Sequence, residues 1–133
     1  MIEIDLVTDV VECGDTVAAV ARWAPEEKPP RGIDVELTYH TEGRGDTDRK
    51  VVARARHDVT EGESGGELPV ELTVPLEGPI TYDGRLIRVI WSVTASLDMR
   101  MARDPSASHP LTVFPRGGHD LWARSAPPPA PSA

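Results

Sequence analysis

Cysteine is almost missing from this 133-residue chain, where Cys13 stands alone. One thiol cannot close an internal disulfide, so a reducing, cytoplasmic setting is expected rather than a secreted one. The opening residues lack the basic and apolar regions of a signal peptide. No apolar run approaches the roughly 20 residues that cross a bilayer, so membrane insertion is not expected. There is no excess of basic residues either: the net charge is -8. That balance argues against a nucleic-acid binder, whose phosphate contacts need a basic surface, and disfavours adhesion to anionic lipid. Helical periodicity is absent throughout.

What the chain does have is alternation. Ile87, Val89, Trp91, Val93, Ala95, Leu97 and Met99 alternate with Arg88, Ile90, Ser92, Thr94, Ser96 and Asp98 in residues 85–99. A period of two over that length makes a strand with one dry face. Its regularity predicts the central strand, with Trp91 pointing inward. Upstream, Ile2, Ile4 and Leu6 alternate with Glu3 and Asp5, and turn formers at 12–15 are expected to reverse the chain within 8–15. Residues 17–23 are apolar on both faces, as for a strand between two neighbours. Three prolines break any ladder in 25–32.

Residues 33–40 alternate cleanly, and 41–48 read as a hairpin connection. Residues 50–58 place Val51, Ala53 and Ala55 on one side and Val52, Arg54 and Arg56 on the other, an outer strand guarded by arginines. Residues 61–66 are a turn, and Pro69 marks the strand at 68–74 as an edge or a strand start. Residues 79–84 cross over, 101–110 form a loop, and Leu111, Val113 and Phe114 close the sheet. About seven strands result, predicting an all-β fold, an immunoglobulin-like antiparallel β-sandwich over residues 1–114. Residues 115–133, rich in Pro, Ala and Ser, are expected to be a flexible tail. Trp122, beside Leu121, is its apolar point, either a weak packing contact or a docking motif.

Charge is uneven: residues 1–48 carry 12 acids and 4 bases, and the remainder 10 of each. These charges either solvate outward strand faces, or Arg54, Arg56, Arg85 and Arg88 form a basic patch for an acidic partner. A second cluster, Asp98, Arg100, Arg103 and Asp104, either orders the following loop by ion pairs or offers its arginines to a partner, since arginine is favoured at interfaces. His40, His57, His109 and His119 lie at no metal-ligand spacing, so neither a metal nor a cofactor is implied. No nucleophile elbow supports a hydrolytic triad. Gly43-Arg44-Gly45 sits between strands rather than before a helix and makes no phosphate cradle.

From Leu68-Pro69, through Pro79, Tyr82 and Gly84, to the strand with Trp91 and Leu97-Asp98 and then Asp104, the ordered spacing resembles the arrestin-like domains of bacteria, related to SpoOM and more distantly Vps26. Such proteins usually contain two sandwiches, and this chain has room for one. The resemblance implies a non-enzymatic adaptor or scaffold that presents sheet edges to a protein partner or to itself. Arg54, Arg56, Arg88, Arg100, Arg103 and Trp122 are the candidate contacts. Alternatives are a carbohydrate-binding sandwich, for which Tyr82, Trp23 and Trp122 are the available aromatics, and a structural subunit of a larger assembly.

Overall fold

The structure, a computed structural model, describes residues 1–24, 29–43, 47–60, 63, 65–84, 87–100 and 103–117. Among them the regular elements are nine strands: β1 (Ile2–Leu6), β2 (Val10–Glu12), β3 (Thr16–Trp23), β4 (Gly32–Glu42), β5 (Thr47–Asp58), β6 (Gly66–Thr73), β7 (Tyr82–Asp83), β8 (Arg88–Asp98) and β9 (Ser106–Phe114). One sheet runs β1-β3-β6; the other runs β2-β9-β8-β4-β5, with β7 also paired to β8.

The two sheets stack as a sandwich because their alternating apolar residues share one gap. Trp91, Ile33, Leu37, Leu97, Val17 and Val113 are fully buried there. β8 is the centre of the larger sheet, flanked by β4 and β9. Its Trp91 packs on the tilted ring of Tyr39, centroids 5.0 Å apart. The indole Nε1 donates to the Pro79 carbonyl at 3.1 Å, tying the 79–84 crossover to the core. β3 lies between β1 and β6, and β5 and β6 are edges, as the sequence pattern predicts.

Three local expectations need correction. Within 8–15 the chain does not simply reverse: β2 forms there and pairs parallel with β9, and the turn is confined to Cys13 and Gly14, the latter at φ 89. A three-residue strand is too short to display a period. β9 starts at Ser106, inside the expected loop, because the ladder against β8 recruits small residues of weak strand preference. Finally, Leu37 faces Ala53 while Thr38 faces Val51, so Val52 is the extra residue of a β-bulge. Val52 packs against the core with Ala53 and Ala55, and Val51 is turned out.

Candidate interaction surface

The outer face of β4 is acidic, and the arginines of its neighbours answer it across the strands. Arg54 Nη2 reaches Glu36 at 3.4 Å. Arg56 reaches Asp34 and Asp58 at 2.9 Å each and Asp98 at 3.1 Å. Those three carboxylates, Asp58 foremost, then Asp98 and Asp34, push the Arg56 guanidinium further toward its charged form. Gly32 makes room for it: a Cβ there would stand 2.5 Å from Arg56 Nη2 and 3.0 Å from the His57 carbonyl. Arg88 binds Asp83 at 2.9 Å and Glu42 at 3.3 Å. In the β4 ladder Arg54 faces Glu36 while Arg88 is opposite Glu42, so the two lie about 20 Å apart at strand spacing. Arg54, Arg56 and Arg88 therefore do not converge as a basic patch, and Arg85 lies outside the described residues.

The second cluster also divides. Asp98 turns to Arg31 at 2.9 Å and to Arg56, and these bonds, Arg31 first, hold its carboxyl below the usual range. Asp104 instead accepts the Met99 amide at 2.9 Å, closing the turn after β8. Arg100 and Arg103 are exposed and have no ion pair among the described residues. Trp122 lies outside the described residues. Trp23, a carbohydrate candidate in the sequence, is buried beside His57, whereas Tyr82 is 56 % exposed. Burial raises the Cys13 thiol above its ordinary value, an environment that keeps it unreactive. Among the described residues no three His, Cys, Asp or Glu side chains converge as a metal site.

Among the described residues, two surface features bear on binding. The first is β5, twelve residues long and paired only with β4. From Thr47 to Val51 every residue is exposed, beyond the bulge at Val52. The second is a fork in the larger sheet. β9 follows β8 as far as Leu111 opposite Trp91 and then swings to β2. Into the widening gap goes β7. Thr81 exchanges bonds with Val113, its amide donating at 2.9 Å and its hydroxyl accepting at 2.8 Å, while Tyr82 pairs with Val89. Where the wedge ends, a cleft of about 290 Å³ opens between Ile90 and Thr112. Asp9 joins its wall because the β1–β2 crossing is held there by Thr112 N–H donating to the Asp9 carbonyl at 2.7 Å. Sequence reasoning missed this cleft, since its parts come from three distant stretches joined only by the wedge.

No protein-family model matches the chain, and no curated protein matches it. Among solved structures it is similar to Spo0M, the sporulation control protein from Bacillus subtilis, with a TM-score of 0.63 and 21 % identity. The match covers 85 % of this chain and 48 % of that one, so the chain spans about half the length of Spo0M. At this identity the likeness establishes the fold, the arrestin-like β-sandwich that the spacing around Trp91 resembles.

Proposed function

We propose that this arrestin-like sandwich is a non-enzymatic protein-interaction module of the cytoplasm, an adaptor or scaffold that recruits a protein partner or a second copy by strand addition to β5. The observation that carries the reading is the open side of β5, where the strand runs twelve residues with β4 on one side only. An extended segment laid along such an edge gains main-chain hydrogen bonds, while side chains alternating along it set specificity. The bulge at Val52 and the flanking Arg49, Lys50 and Arg54 guard the edge against indiscriminate pairing. They also favour an acidic incoming strand. Arg100 and Arg103, exposed at one end of the same sheet, are further contacts for such a partner.

Arg49→Pro and Lys50→Pro test this in affinity capture from the source cell and in sizing chromatography. Adjacent amides point to opposite sides of a strand, so one proline removes an outward donor and the other a donor to β4. The outward variant is expected to keep the native fluorescence of the buried tryptophans and to lose association. Association retained by both variants, or none recovered with the unaltered chain, overturns the proposal.

A further inference from the structure

We infer that the cleft at the fork between β7, β8 and β9 is a receptor for a lysine or arginine side chain carried on a segment of a protein partner. The inference shares with the reading above only that the partner is a protein; it makes no use of the β5 edge. Its walls are amphipathic in the way such a side chain is. Ile90, Pro110 and the ring of Tyr82 offer apolar surface for an aliphatic stem. Asp9 and Asp83 stand on the rim with one cation, Arg88. That guanidinium is already held by Asp83 at 2.9 Å and by Glu42 at 3.3 Å. Two lining carboxylates, Asp9 and Asp83, against one guanidinium leave the site acidic, Arg88 is further neutralised by Glu42 outside it, and no cation pairs with Asp9 among the described residues.

The aromatic wall is built in. Tyr82 folds across Gly84, where a Cβ would stand 2.8 Å from both the ring Cζ and the hydroxyl. The ring is thereby held over the turn, more than half exposed, where its face can meet a cation. The volume, about 290 Å³, lies at the small end for ligand sites and suits one long side chain rather than a cofactor. The charge of the chain as a whole, -8, draws a basic segment toward it.

Isotope-labelled protein titrated with a tri-lysine peptide, followed by amide NMR, tests the assignment. Saturable shifts are expected at Tyr82, Ile90 and Thr112, with none from tri-glutamate. Asp9→Asn keeps the backbone bond to Thr112 and should weaken binding at least about threefold, the scale of a partly exposed ion pair. Gly84→Ala, which displaces the Tyr82 ring without changing charge, should weaken it as well. The proposal is overturned if Asp9→Asn binds like the unaltered chain, or if tri-lysine fails to bind. Shifts spread equally over Glu3, Glu71 and Glu77, or methyl glucoside occupying the cleft more tightly than tri-lysine, overturn it too. Since the β5 proline variants leave this cleft untouched, loss of one activity is distinguishable from loss of the other.

Discussion

Trp91 is the residue with the most to lose. It is fully buried at the middle of β8, packed against the tilted ring of Tyr39, and its indole nitrogen is satisfied by the Pro79 carbonyl. Trp91→Ala removes that contact, leaves a carbonyl without its donor and opens a cavity between the sheets. A loss of about 3–5 kcal/mol is expected, a large share of what a domain this size possesses. Urea unfolding followed by circular dichroism measures it; a loss below about 1 kcal/mol would show that the indole is not the anchor of the 79–84 crossover. Trp23 differs: it is buried too, but its Nε1 has no hydrogen-bond partner among the described residues.

At the level of the strand, one residue decides how β5 presents itself. Were Val52 paired in the ladder with no bulge, the alternation would run unbroken from Thr47 to Asp58 and residues 47–51 would exchange faces. The bulge instead turns Val51 to the same side as Arg54 and puts Lys50 opposite Tyr39. Deleting Val52 itself should leave Val51 opposite Thr38 and the arm of the hairpin on its present faces, removing only an apolar contact with the core. A stability loss of about 1 kcal/mol is expected in urea, with association through β5 retained. Loss of association in that variant would show that its register has slipped and that residues 47–51 no longer keep those faces. β7 shows the same lesson on a smaller scale, since two residues wedged between β8 and β9 create the cleft.

For the molecule as a whole, the charge imbalance along the chain is resolved across the sheet. Asp34 and Glu36 of the acidic front half meet Arg56 and Arg54 of the remainder, so the net charge does not gather on that face. The same arrangement sets the response to acid. The Glu63 carboxyl is lowered from 4.5 to about 2, by the Thr60 amide first, then the Thr60 hydroxyl and His57, and Asp98 is lowered by Arg31 and Arg56. Both groups bind a proton less readily folded than unfolded, so their stabilisation is present above about pH 4.5 and is lost as pH falls toward 2. Urea midpoints at successive pH values should decline through that window, more shallowly in Asp98→Asn. Salt should reduce the contribution, because these groups are screened by solvent. A midpoint independent of pH in that window would contradict the assignment.

Alternation along residues 87–99 and 33–40 was enough to determine an all-β sandwich with Trp91 in its core, because a period of two reports which face of a strand is dry whatever the strand pairs with. Pro69 and the arginines of 50–58 likewise betrayed the edges, since edge strands tolerate a missing donor and carry charge. Tertiary structure alone decided the rest. Which carboxylate each arginine meets depends on register between strands distant in sequence: Asp98 chose Arg31 and Arg56 over its neighbours Arg100 and Arg103. The bulge at Val52, the parallel pairing of β2 and the cleft beside Ile90 and Thr112 arise where separate stretches of the chain meet, and local pattern holds no record of how one strand registers against another.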